Sequence, residues 1–238
     1  MQLVKVIQPN CRIQFTAEDV AFITEVLGKT HHSSLFLASL LADPDSRDSI
    51  LDDEMLFRAL LEQPRCLRVS SRFYFYVLVR HVLRHTGIKD RTVADYVAEL
   101  LTEFSREERS SLTSLSHPQG LNCLFEMLAA LETADDRTAF CIRAHIGNHS
   151  LFLSGVFPDR IRYRSERRGA PDLKYYEQLG RMNYRVAGGH KLAQRYELAP
   201  VFDILSAQFD RARMALNDLS ERIFSLGDAE TQLQQLVG

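Results

Sequence analysis

Phe202, Leu205, Phe209, Ala212, Leu216, Leu219, Ile223 and Leu226 recur at alternating steps of three and four residues. Side chains spaced this way fall on one stripe of an α-helix, so residues 198 to 226 predict a long helix carrying an unbroken a/d seam. The flanking positions decide what the seam faces. With Phe202 at a, the e positions are Ser206, Arg213 and Ser220, and the g positions are Gln208, Ala215 and Arg222. Partner-selecting zippers place opposite charges there, and these residues are mostly small or neutral. Ile204, Met214 and Phe224 widen the apolar surface further, which suits a helix covered on several sides by its own chain. The competing reading is self-association, a subunit interface centred on Phe209, Leu216, Leu219 and Ile223.

Most of the remaining chain has the same period. Thr16 and Asp19 form a capping-box pattern for a helix ending at Gly28, and SSLFLASLLA (33 to 42) is apolar nearly all round. Ser46 is positioned to cap a helix ending before Pro64. Ser70 or Ser71 opens RFYFYVLVRHVLRH, which stops at Gly87, and Asp90 caps RTVADYVAELLTEF. Further helices are expected near 121 to 134, 136 to 154 and 172 to 187, with a short one at 228 to 237. The first fifteen residues read differently: VKVI and RIQF straddle Pro9-Asn10 and predict a small β-hairpin. The chain is therefore expected to be all-α, a multi-helix bundle of about ten helices. Residues 1 to 238 read as a single helical domain, with the polar segment 110 to 120 as a candidate linker dividing 1 to 109 from 121 to 238.

Four cysteines (Cys11, Cys66, Cys123, Cys141) are scattered without a C-x-x-C pair, and MQLVKVIQPN is no secretory leader. Together these predict a reduced, cytoplasmic protein. No apolar run approaches the roughly 20 residues that span a bilayer, so no membrane partner is expected.

Two H-x-x-x-H pairs, His81 with His85 and His145 with His149, place imidazoles one helical turn apart, close enough to share an ion. Cys141 extends the second stripe. Where the two helices face each other, the four histidines would make a metal or haem site. The alternative is hydrogen-bonded core or surface residues, and no E-x-x-H, H-E-x-x-H or C-x-x-C-H supports a familiar metal centre. No cofactor is demanded; metal or haem stays open. In the central helix Arg80 is expected to be buried, with Asp95 and Glu99 as candidate partners.

Residues 157 to 168 read FPDRIRYRSERR, with Arg160, Arg162, Arg164, Arg167 and Arg168. From 155 to 195 ten basic residues face four acidic ones, a surplus of +6, whereas 43 to 62 holds seven acidic residues against two basic, or −5. The arginines and nearby tyrosines suit a nucleic-acid or other phosphate-rich partner. A net charge of −2 and the lack of a helix-turn-helix, zinc-finger or K-homology pattern argue for solvated faces or mutual attraction instead. P-loop, G-x-G-x-x-G and G-x-S-x-G motifs are missing, so the chain offers no assignable catalytic residue.

LFLSGVFPDRI (151 to 161), DLKYYEQLGRMNYRVA (172 to 187) and VFDILSAQFDRARMALNDLSE (201 to 221), with RFYFYVLVRHVLRHTGIKDRTVADYVAELL (72 to 101), resemble an uncharacterised bacterial all-helical family. The resemblance implies a bacterial cytosolic setting and attaches no activity. The functional expectation is a non-catalytic interaction or assembly component, acting through helix packing and an arginine-rich surface. Its alternatives are a nucleic-acid-binding protein using 160 to 195 and a metal- or haem-binding helical enzyme using the paired histidines.

Overall fold

The computed structural model describes residues 6–28, 40–62, 68–113 and 121–225, and every regular element among them is helical. A 3-10 turn at Cys11–Ile13 precedes α1 (Ala17–Gly28), α2 (Pro44–Leu51), α3 (Glu54–Glu62), α4 (Ser71–His85) and α5 (Arg91–Thr113). Then come α6 (Leu121–Ala130), α7 (Asp136–Val156), α8 (Pro158–Arg168), α9 (Leu173–Gly188), α10 (Lys191–Arg195), α11 (Ala199–Ala207) and α12 (Phe209–Ser225).

Short-range polar chemistry sets most of the starts. The capping box at α1 forms, with Thr16 N–H donating to Asp19 Oδ2 (2.8 Å) and Asp19 N–H to Thr16 Oγ1 (3.3 Å). Ser70 caps α4 through Phe73 N–H, and Asp90 caps α5 through Val93 N–H. The fully buried Asp19 also accepts from Ser70 N–H and Oγ, both at 2.7 Å, so one carboxylate joins the starts of α1 and α4.

Several expectations are corrected. No strand occurs among the described residues, and over residues 6 to 15 a 3-10 turn stands where the hairpin was expected, with Cys11 N–H drawn to Asp95 Oδ1 at 2.6 Å instead of to a second strand; residues 1 to 5 lie outside the described residues. The helix expected between Ser46 and Pro64 is two. Asp43, not Ser46, caps the first, accepting from Ser46 N–H with Pro44 at the first helical position. Asp53 opens the second through Met55 N–H. Residues 110 to 113 of the supposed linker belong to α5. The helix expected at 198 to 226 is kinked at Gln208 into α11 and α12, although no proline or glycine stands there. The apolar 33 to 39, residues 114 to 120, Leu226 and the helix expected at 228 to 237 lie outside the described residues.

Packing follows from two rods buried nearly all round, α4 and α7. On one side α4 packs against α3, α5 and the 3-10 turn; α7 packs chiefly against α9, while α12 lies against both rods. The approach of α7 to α9 is close because Gly147 faces the Tyr184 ring, where a Cβ would come within 2.7 Å of Cδ1. Beside it, Asn148 Oδ1 accepts from Tyr96 of α5 (2.7 Å) and Tyr184 of α9 (2.8 Å), which satisfies two buried phenols with one carbonyl. The kink lets the seam serve two neighbours. Phe202 stacks on Tyr184 (5.4 Å) and meets the Tyr96 edge (5.7 Å), while the seam residues of α12 run on between α4 and α7.

Candidate functional site

Ionisable groups collect in three places. The first is an ion-pair seam linking the N-terminal turn, α2, α4 and α5. Arg80, 5% exposed, takes Asp52 as its carboxylate: Nε donates to Oδ1 (2.8 Å), Nη2 to Oδ2 (3.1 Å), and Nη1 to Lys89 O (2.6 Å). Asp95 and Glu99, its expected partners, are engaged elsewhere. Asp95 accepts from Arg12 Nε (3.0 Å), and Glu99 accepts from Arg72 through both oxygens (2.8 Å each). The reason is register: Arg72 lies two helical turns before Arg80, opposite Glu99, whereas Arg80 reaches the end of α2. The acidic stretch thus pairs with α4 and α5, with Asp48 held by Arg12 and Asp52 also by Arg84 and Arg91.

Cys11 sits in this seam with its thiol donating to Glu99 Oε2 at 3.2 Å; burial, and the Asp95 and Glu99 carboxylates, push its pKa far up. Burial also raises Cys141. Thiols held protonated are poor nucleophiles, so neither suits thiolate chemistry. Cys66 and the Cys123 side chain lie outside the described residues.

The second place is the histidines, and the four do not form one cluster. Among the described residues the group of metal-ligating type whose ligand atoms lie within 4.8 Å of one another is Glu54, His81 and His85. His81 and His85 face each other Nε2 to Nε2 at 3.0 Å, and His81 Nδ1 stands 3.4 Å from Glu54 Oε2. The His81 ring is stacked on Phe57 of α3 (3.6 Å, 11°). His145 and His149 of α7 instead pack on Phe104 of α5, at 5.4 and 5.8 Å between centroids. Each pair follows the aromatic ring of a different neighbour. Arg84 turns to Asp52 Oδ2 and Asp52 O, away from the imidazoles. No spacing in the sequence links Glu54 to His81; only the packing of α3 on α4 does so.

Burial depresses His81, aided by the nearby His85, Arg222 and Arg84 against the opposite pull of Glu54, and burial alone depresses His145. A histidine whose folded pKa is lowered contributes stability that is complete above the ordinary value of 6.5 and lost as pH falls from there through the folded value. Urea midpoints should therefore decline as pH is lowered below 6.5, and His145→Gln should flatten part of that slope. A midpoint constant across this range would show that neither ring is held neutral.

The third place is α8, a helix hidden in the arginine-rich segment. Pro158 stands at its first position and Gly169, at φ +60°, ends it, with Ala170 N–H donating to Arg164 O and Gly169 N–H to Ser165 O. Only Pro158 and Ile161 are buried. Arg160, Arg162, Arg167 and Arg168 are exposed, Arg164 is half-buried beside Tyr176, and Tyr163 is 59% exposed among them. Arg162 pairs with Asp159 at 2.9 Å; among the described residues Arg160, Arg164, Arg167 and Arg168 make no ion pair.

The seam leaves little for a second copy. Phe209, Leu216, Leu219 and Ile223 are 0%, 1%, 2% and 9% exposed, covered by this chain's own helices, so the interface expected on them is spent inside the molecule. No helix among the described residues is long and apolar enough to cross a membrane. No protein-family model, curated protein or solved structure matches the chain.

Proposed function

We propose that the protein is a non-catalytic binding component whose recognition surface is α8, and that the partner it fits is the phosphate backbone of a single-stranded nucleic acid. The observation that carries this reading is the exposure of Arg160, Arg167 and Arg168, with the half-buried Arg164 among them, all without acidic partners among the described residues. Fold stability gives little reason for that pattern. Arg160 with Arg164 and Arg164 with Arg168 are like charges four apart, each pair costing a helix about 0.2–0.5 kcal/mol. Arg167 and Arg168 lie in the last turn, where they favour the helix dipole, but Arg160 lies in the first turn, where a cation opposes it. Guanidinium forks match phosphate oxygens, and the exposed Tyr163 in their midst offers a face for an unpaired base.

Fluorescence anisotropy with labelled single-stranded RNA and DNA tests the reading. Binding should weaken steeply with salt, and Arg164→Ala with Arg168→Ala should lower affinity roughly tenfold and reduce the log–log salt slope by about 0.7 for each phosphate contact removed. Absence of binding to either oligonucleotide at low salt would overturn the proposal.

A further inference from the structure

We infer that Glu54, His81 and His85 form a binding site for a borderline divalent transition metal of the Zn2+ type, joining α3 to α4. The site is distinct from α8 and does not depend on the role proposed for it.

The geometry carries the inference in three steps. Two nitrogens bound to one ion at about 2.0–2.1 Å, with ligand angles between a right angle and the tetrahedral value, stand about 2.9–3.4 Å apart. The His81 and His85 Nε2 atoms are already 3.0 Å apart, on consecutive turns at the C-terminal end of α4. Without a cation the same contact is an N–H···N hydrogen bond with one imidazole proton between the nitrogens; to bind the ion the donor imidazole gives that Nε2 proton to solvent and takes one up at Nδ1, so that both neutral rings turn an Nε2 lone pair to the metal. Next, the rings are held. The Phe57 stack fixes the plane of His81, and Glu54 Oε2, 3.4 Å from Nδ1, favours the tautomer protonated there, which leaves Nε2 as a lone pair toward His85. A carboxylate behind a ligating imidazole is the usual outer support of a zinc histidine. Glu54 is half-exposed, and one of its oxygens lies within 4.8 Å of a nitrogen of each imidazole.

Finally, the nearby cations, whose charges oppose a metal ion at His81, each have another partner. Arg58 takes Glu54 Oε1 at 3.1 Å and leaves Oε2 for His81, Arg84 is turned to Asp52, and Arg222 is drawn over the Phe57 ring. Imidazole ligands with a single carboxylate select Zn2+, Ni2+ or Cu2+ over Mg2+ or Ca2+, which demand oxygen-rich shells. His85 lies on the exposed side, so the remaining positions on the ion are open to water.

The test uses the untagged full chain and Zn2+ itself, in competition with a fluorescent chelator and by thermal unfolding. One equivalent of Zn2+ should bind and raise Tm. His85→Gln, at an exposed position that does not endanger folding, should weaken binding about 10–100-fold and abolish the Tm rise, and Glu54→Gln should weaken it about tenfold. Absence of Zn2+ binding to the wild-type chain, or binding that His85→Gln leaves unchanged, would overturn the inference.

Discussion

Phe209→Ala should destabilise the protein by about 3–5 kcal/mol, a large share of the total stability usual for a domain. The residue is fully buried at the first position of α12, where the seam turns after the kink. Its ring packs near Tyr184 (6.1 Å, tilted) and lies directly on Gly180 of α9, where an added Cβ would collide with Phe209 Cε2 and Cζ. Because this space sits between helices fixed by other contacts, the structure can collapse only partly into it, so both the lost transfer energy and the cavity are felt. A second substitution separates this account from simple loss of hydrophobicity. Alone, Gly180→Ala should cost about 1–3 kcal/mol through overpacking. In the Phe209→Ala background only the tight approach to Ser150 Cβ (3.0 Å) remains and alanine regains about 1 kcal/mol of helix propensity, so the same substitution should cost clearly less than it does in the wild type. Urea midpoints of the four proteins, at unchanged m, measure this; additive losses would contradict the packing described for α9 and α12.

The contrast between what could and could not be read in advance has a physical origin. Features encoded within one helical turn were legible: the Thr16–Asp19 box, the caps at Ser70 and Asp90, and the burial of RFYFYVLVRHVLRH all depend on neighbours in sequence. Features created by distant partners were not. Nothing local splits the helix after Leu51; Asp52 is recruited by Arg80, 28 positions away, and Asp53 then caps α3. The N-terminal residues are β-prone, yet Asp95, 84 positions from Cys11, claims the backbone N–H that a hairpin would need. The kink at Gln208 has no proline or glycine to announce it, since it arises from α11 and α12 docking on different neighbours. Helix α8 differs: Pro158 and Gly169 mark its start and stop locally, but with only Pro158 and Ile161 buried it carries no apolar stripe to give a helical period. Of the candidate metal ligands, His81 with His85 was visible as a spacing, whereas Glu54 required the packing of α3 on α4.

Asp52→Ala should likewise cost about 3–5 kcal/mol, because it strands Arg80 in the interior. Arg80 is 5% exposed and keeps only the Lys89 carbonyl when the carboxylate is removed. Arg84 and Arg91 also contact Asp52, but at 44% and 31% side-chain exposure they can turn to water at little cost. The loss therefore resides in Arg80, which gives a sharp expectation for the pair. Arg80→Leu combined with Asp52→Ala removes the buried charge and its partner together, so the double variant should be more stable than Asp52→Ala alone, with a coupling of about 0.5–3 kcal/mol. By comparison, breaking the exposed Glu54–Arg58 pair should change stability by under about 1 kcal/mol. Acid supplies an independent check. Burial raises the Asp52 pKa, but the Arg80 hydrogen bond and the Arg80, Arg91 and Arg84 charges outweigh it, so the folded value lies below the ordinary 3.8. A carboxylate lowered on folding contributes fully above its unfolded value and loses that contribution as pH falls through the folded one. The gap in urea midpoint between wild type and Asp52→Ala should consequently narrow as pH drops below 3.8, and a gap that stays constant there would mean that charge at Asp52 is not what holds Arg80.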